Sequence, residues 1–342
     1  MENTAKKAAI STLVAVAIVV AALALWKIKV VIGLLFLGFV IAAAMRPGVD
    51  WLARHHVPRS LGVLLHYLTL FGLIALFLAL VVPDAVRQAE TAIKTAPSST
   101  GIKHEILSST EKYLKRLPSA RSLVHPAINV TKKAFEVLIG IFFAFAVAAY
   151  WIFERDHAVD LFTSMLPRAR RKIVRDTWWL IDMKLGAFVR GELLLIMFVG
   201  IVLSFAFWLD GMPYWLLLGG FAGVVELVPV VGPLAAGVVA VGVGLTVSWQ
   251  VALGAAIAVI VLRELEDYYI APHVLGSAVG LSPLVVFISV TVIGFLLGAF
   301  YVLLAIPIAV VLATLFDVIL RNKNPADEEV PSVLHSAKEP EE

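Results

Sequence analysis

Seven charged side chains stand inside or at the edge of long apolar runs: Glu192, Glu226, Arg263, Glu264, Glu266, Asp267 and Asp317. An ionisable group in hydrocarbon is costly, and such groups usually face a bundle interior or a water path. The chemistry open to them is narrow. A buried carboxylate can hold a proton or a cation, and burial sets the two in competition for it.

Glu226 is the most telling of these. It stands in Gly223-Val224-Val225-Glu226-Leu227-Val228-Pro229-Val230-Val231-Gly232-Pro233, inside the otherwise apolar stretch 213–248, which is too long for one membrane crossing. Proline lacks a backbone donor and disfavours helix at the residue before it. The helix is therefore expected to break near Pro229, leaving backbone carbonyls free, and to restart near Pro233 with its N–H groups exposed. Broken helices of this kind form substrate and ion sites in many secondary transporters. A buried Glu that merely caps or pairs is the other reading of Glu226.

A second interruption follows at Arg263-Glu264-Leu265-Glu266-Asp267-Tyr268-Tyr269. On a helix Arg263 and Asp267 are four apart and pair on one face; Glu266 lies on a neighbouring face with Tyr269. Pro272, Gly276, Gly280 and Pro283 then mark non-helical chain before the next apolar run. An interfacial helix end with Tyr anchors would also give this pattern. Glu192, after Arg190-Gly191, reads as a helix-start acid or as a proton relay. Asp317 and Arg321 read as an ordinary i, i+4 pair. Gly219/Gly223, Gly276/Gly280 and Gly294/Gly298 have the spacing that lets helices approach closely.

Composition sets the frame for these elements. Of 342 residues 61% are hydrophobic and only 15% charged, with a mean hydropathy of +0.94. A soluble domain carries about 25% charged residues, so the bilayer must be the solvent for most of this chain. The net charge of +3 is too small and too scattered for nucleic-acid binding. With no cysteine there is no disulfide, thiolate metal site or Cys nucleophile. His55-His56 do not share a helix face and have no nearby carboxylate, so no metal site is expected. The sequence holds no Walker A loop, His-Glu-x-x-His pair or Gly-x-Ser-x-Gly turn. No cofactor and no catalytic residue are expected, and the chain reads as a non-enzyme.

Apolar runs at 8–25, 30–45, 61–82, 134–153, 191–209, 213–228, 232–248, 250–262, 283–297 and 299–320 predict an all-α fold, a polytopic transmembrane helical bundle of eight to ten membrane segments, some broken or re-entrant. The first run follows Lys6 and Lys7 and is read as the first arm of an uncleaved hairpin. The chain divides into N-terminal transmembrane helices (1–82), an amphipathic helical extramembrane segment (83–133), a transmembrane helix (134–153), a cytoplasmic interfacial segment (154–190), a C-terminal core with broken helices (191–320) and a polar tail expected to be disordered (321–342). Within 83–133, Ile102, Ile106, Tyr113, Leu114 and Leu117 recur at helical spacing. In 154–190, Arg168, Arg170, Arg171 and Lys172 precede Trp178 and Trp179, which suits a helix at the headgroups of an anionic leaflet. Lys and Arg near the ends of spans place both termini in the cytoplasm of a cell (inner) membrane, although the nine basic residues of 83–133 would then lie outside.

Taken in order, these pieces resemble the autoinducer-2 exporter family across residues 8–320. The resemblance rests on Ala42 to Pro47 as a Pro-containing turn ending the second span, Val189-Arg190-Gly191, Gly211-Met212-Pro213-Tyr214 leading to Leu218-Gly219 and the Glu226–Pro233 stretch, Leu265-Glu266, Val279-Gly280-Leu281-Ser282-Pro283-Leu284, Gly294, Gly298 and Ala305-Ile306-Pro307. It implies a multi-span permease that exports a small polar solute such as the furanone signal autoinducer-2, or exchanges a monovalent cation for protons, and it implies homo-oligomers. Two positions depart from the family pattern: Glu192 stands where Gln is common and Ser282 where His is common. The expected substrate- or ion-binding set is Glu226, Pro229, Gly232, Pro233, Glu266, Gly280, Glu192 and Asp267. A non-transporting membrane scaffold or stress-related assembly protein, working through 83–133, is the alternative from another class.

Overall fold

The computed structural model describes residues 2–95, 120–228, 231–270, 280–328 and 330. These residues form helices and no strand: α1 (Glu2–Lys27), α2 (Lys29–Arg54), α3 (Arg59–Thr95), α4 (Ala120–Ser164), α5 (Arg168–Leu209), α6 (Trp215–Val225), α7 (Val231–Leu245), α8 (Trp249–Leu265), α9 (Pro283–Leu297), the single turn α10 (Ala299–Val302) and α11 (Ala305–Leu320). A π-helical turn at Glu266–Ile270 ends α8, and a 3-10 turn at Pro325–Asp327 follows α11. Among the described residues four helices are long and apolar enough to cross a bilayer: α2, α3 over Arg59–Val81, α4 over Phe135–Ser164, and α5. α6, α7, α9 and α11 are apolar but shorter. The molecule is a helical membrane bundle, as its apolar runs require.

Several helices outrun their apolar stretches. α3 continues past residue 82 to Thr95, and α4 carries Phe135 through Ser164 without a break at Phe153. The turn at 165–167, ending in Pro167, then opens α5, which runs through Arg190-Gly191 to Leu209. Glu192 is therefore inside a continuous helix, and its reading as a helix-start acid is corrected: a single Gly costs a helix only about 1 kcal/mol, too little to end one that is packed on both sides. The periodic residues Ile102 to Leu117 lie outside the described residues.

The second correction concerns Pro47, which stands within α2 rather than in a turn. A proline at this position gives no N–H to the carbonyl four residues back, that of Ala43, and its ring crowds it. The neighbouring helix absorbs the defect. Gly186 of α5 sits so close that a side chain there would run into the Ala43 carbonyl oxygen, and Arg190 Nη1 donates to the Ala44 carbonyl at 3.3 Å. A helix interior with a proline is thus tolerated because α5 contributes a missing side chain and a guanidinium at the same turn.

The core has two principal parts. In the first, Val199, Leu203 and Phe207 of α5 pack with Leu218 and Ala222 of α6, Ala236 and Ala240 of α7, and Ala255 and Leu262 of α8. In the second, Val40 and Ala43 of α2 meet Leu185 of α5 and Val310 of α11, with Leu281 packed against them. Lipid tails are as apolar as leucine, so helices in a bilayer associate through close packing of small residues. α5 and α6 do this antiparallel: Gly219 abuts Ser204, and Gly223 abuts Gly200 and the Ile196 carbonyl. The outer helices bury little, and Leu68, Leu76, Phe142 and Tyr150 are exposed along α3 and α4 as lipid-facing side chains would be.

Charges gather at one end of the bundle. Arg155 of α4 binds Asp182 of α5 through Nε and Asp156 through Nη1 at 2.9 Å. Arg46 of α2 reaches Asp50 at 3.4 Å and both Asp156 and Asp182 at 3.6 Å, and Arg59 of α3 reaches Asp50 at 3.6 Å. Phe39, Trp151 and Trp178 stack beneath this network, with ring centroids 4.4 and 6.0 Å apart. Beside it the chain after α11 turns back. Lys323 binds Asp317 at 2.7 Å, Pro325 is fully buried, Glu328 meets the Lys184 ammonium at 2.7 Å, and Val330 packs with Leu180 and Ala187. Residues 321–328 and Val330, expected in a tail without structure, are thus seated on α5, because a short apolar pair and one acid find a matching groove there.

Candidate functional site

The two interruptions of the C-terminal half meet. α6 ends at Val225, four residues before Pro229, and the chain turns through Glu226, Leu227 and Val228, whose N–H groups reach back to the carbonyls of Gly223, Val224 and Val225. α7 begins at Val231, so Pro233 falls in its first turn, where a missing N–H costs nothing. Gly232 donates to the Val228 carbonyl at 2.8 Å. A side chain at this glycine would strike the Val225 carbonyl, which is why the hairpin between α6 and α7 closes so tightly. Pro229 itself lies outside the described residues, as do Pro272 and Gly276.

From the other side, α8 brings Arg263 and, after a π turn, Glu266 and Asp267. A π turn widens the helix by one residue per turn and often marks a functional position. Glu266 and Asp267, three and four residues after Arg263, both face its guanidinium. Arg263 Nη1 lies 3.2 Å from Glu226 Oε1 and 3.3 Å from Glu266 Oε2, and Nη2 lies 3.0 Å from Asp267 Oδ1. Glu226 and Glu266 are both buried, whereas Asp267 is exposed.

Glu192 approaches from α5. It is half-buried and within electrostatic reach of both Glu226 and Glu266. Gly280 does not touch the carboxyls. Its φ of +62° is the left-handed conformation that glycine adopts freely, and it turns the chain so that Leu281 enters the core and Ser282 caps α9 by accepting from the Val285 N–H at 3.4 Å. The structure therefore brings together Glu226, Glu266, Asp267 and Glu192, with Gly232 and Pro233 at the adjoining turn and Gly280 as a remote hinge. Asp317 stands apart and pairs with Arg321 at 3.1 Å.

The cluster's level in the bundle follows from the α5–α6 contacts. Gly223 lies beside Ile196, so Glu226, further along an antiparallel helix, lies near Glu192, where the apolar half of α5 begins. Glu192 stands near the middle of α5, and the site thus lies at the Arg190 end of that helix's apolar half, residues 191–209. α6 spans about 16 Å to reach it from the far side. Sequence reasoning named Arg263 only as a partner of Asp267. Its reach to Glu226 depends on the packing of α6 against α8, and no local spacing encodes that. Among the described residues no group of three or more His, Asp or Glu is placed to hold a metal ion.

Three comparisons with known sequences agree with this architecture. The family model described as AI-2E family transporter matches residues 13–321. "Putative transport protein YrrI" of Bacillus subtilis (strain 168) is 25% identical over 314 residues, covering 86% of this chain and 88% of its own length. "Putative transport protein YueF" of the same organism is 27% identical over 299 residues, covering 79% of each. A helical membrane bundle with a hairpin broken at Glu226, matched over nearly its whole length by that family, belongs to the AI-2E transporters.

Proposed function

We propose that this membrane transporter works as a secondary carrier whose translocation site is the cluster of Glu226, Glu266, Asp267 and Arg263, with Glu192 at its wall. One observation supports this reading above the others: two buried carboxyls, delivered by two separate chain breaks, share a single guanidinium. Three carboxyl groups face one positive charge, so the cluster carries surplus negative charge unless it holds protons or a cation. Exchange of one for the other is the simplest work such a site can do. Glu226 and Glu266 bind the exchanged species, Arg263 bridges them, and Gly232 and Pro233 hold the turn that presents Glu226. Pro229, which the sequence puts in the same break, belongs to the proposed set. Gly280 turns the chain that leads through Leu281 into α9. The cargo is a monovalent cation exchanged for protons, or a small polar solute of the autoinducer-2 type moved with them. Lys and Arg near the Arg190 end of the bundle support a cytoplasmic position for that end.

Reconstitution into proteoliposomes tests the reading. Sodium- or lithium-driven proton movement, followed with a pH-sensitive dye, reports antiport; counterflow of labelled autoinducer-2 without an ion gradient reports facilitated export. Glu226→Gln and Glu266→Gln are each expected to abolish proton-coupled movement while leaving a folded, monodisperse protein. Wild-type rates in both variants would remove the cluster from the mechanism.

A further inference from the structure

The inner half of α5 is gripped on every side. Asp182 is held by Arg155 and Arg46, Gly186 is pressed on the Ala43 carbonyl, and Arg190 donates to Ala44. On the remaining face Leu180, Met183, Lys184 and Ala187 form a shallow groove, and the chain after α11 fills it. The fit is chemical as well as steric. Lys184 is 6% exposed, and the ion pair that it makes with Glu328 at 2.7 Å joins two residues 144 apart in sequence. Val330 is 3% exposed against Leu180 and Ala187, and Pro325 is fully buried. The segment is itself preformed: Asn324 accepts from the Ala326 N–H at 3.3 Å and starts the 3-10 turn, while Lys323 is fixed to Asp317 at 2.7 Å. Asn322, with φ of +52°, makes the reversal.

We infer that this groove on α5 is a peptide site whose occupant is the chain's own 323–330 segment, and that its occupancy favours a closed state of the transporter. The recognition elements are an acid for Lys184 and, two residues on, an aliphatic side chain for the Leu180–Ala187 cleft. When the segment leaves, both Lys184 and Glu328 regain water, so release exposes charge and does not strand it. The segment bridges the end of α11 to α5, the helix that carries Glu192 and packs α6 along Gly200–Gly223. A movement that separates α5 from α11 must stretch or break this bridge. A contact made only in the closed state shifts the balance toward it by its own free energy.

The chain contains no cysteine, so introduced thiols give clean readouts. Ala187→Cys alone should react with a maleimide slowly in the full chain and much faster when Glu328→Gln is added or the chain ends at Arg321. A synthetic peptide of residues 321–332 should bind the shortened chain and re-protect that thiol, and the same peptide with Glu328→Gln should bind about tenfold more weakly or worse. Lys184→Glu combined with Glu328→Lys should restore the protection that either change alone removes. These readouts need no transport assay, so they stand or fall apart from the carboxyl-cluster reading on which the closed-state claim rests. In proteoliposomes, Val330→Cys with Leu180→Cys, oxidised to a disulfide, should slow flux about fivefold or more and recover on reduction. Equal labelling of Ala187→Cys with and without the segment, no peptide binding, or the same flux in the oxidised and reduced pair would overturn the proposal. If the shortened chain does not fold, the charge swap and the disulfide pair decide.

Discussion

At the scale of single residues, the balance of charge around Arg263 governs what each substitution does. Removing this guanidinium leaves Glu226 and Glu266 buried and facing each other. Breaking one side of a buried ionic group is strongly destabilising, though Arg263 is itself one-third exposed and water softens the loss. Arg263→Ala is therefore expected to destabilise by about 1–3 kcal/mol, read as a lower Tm in detergent. Adding Glu226→Gln and Glu266→Gln should recover most of it, because the triple variant buries no like charges; the non-additivity of the series measures the coupling directly. Glu192→Gln is a milder change. It removes negative charge at the wall without touching an ion pair, so its effect belongs in the apparent affinity for the driving cation, with maximal flux little altered. A variant with unchanged affinity would place Glu192 outside the site. The carboxyls were visible in the sequence because charge is rare in apolar runs. Their convergence was not, since Glu226 and Arg263 stand 37 residues apart and only the packing of α6 against α8 joins them.

At the scale of elements, the hairpin of α6 and α7 is a wedge held by absent side chains. A Cβ at Gly223 would meet the Ile196 carbonyl and the Gly200 backbone, neither of which can yield, while Gly242 of α7 has nothing within 4 Å. Gly223→Val is thus expected to cost about 1–3 kcal/mol or more through forced separation of α5 and α6, and to impair transport in step. Gly242→Ala should be neutral or slightly stabilising, as expected for a helical glycine with open space. Thermal unfolding of the two variants side by side checks the pair, and equal Tm values would refute the packing argument. The proline and glycine pattern foretold the hairpin well, because breaking a helix is a local backbone property. The particular close pairs were only half legible. Gly219 and Gly223 do serve approach, whereas Gly298 meets nothing within 4 Å and adopts a φ of +104°, which makes it a turn residue. Pro47 was misleading in reverse: the resemblance put a Pro-containing turn there, and α5 supplies the tertiary compensation that keeps α2 going.

At the scale of the whole molecule, the ionic network at the Arg190 end joins α2, α3, α4 and α5. Basic residues there read from sequence as an orientation signal, yet Arg46 and Arg155 are engaged in ion pairs with aspartates on other helices. The side chain of Asp182 is 15% exposed against 30% for Asp50, so it is the better-shielded hub. Asp182→Asn is expected to lower stability by about 1–3 kcal/mol and Asp50→Asn by less than about 1 kcal/mol. High salt should shrink the difference only modestly, because partly buried pairs are poorly screened. The off-centre position of the carboxyl cluster carries a further consequence. A charge moved through the full membrane potential gains about 2.3 kcal/mol per 100 mV. Under the proposed cation exchange, with the site at the Arg190 end of the apolar half of α5, an ion entering from the Leu209 end of that helix crosses most of the electric field before it is bound, and one entering from the opposite side crosses little. Apparent affinity measured from the Leu209 side should then vary steeply with applied potential, and from the other side hardly at all.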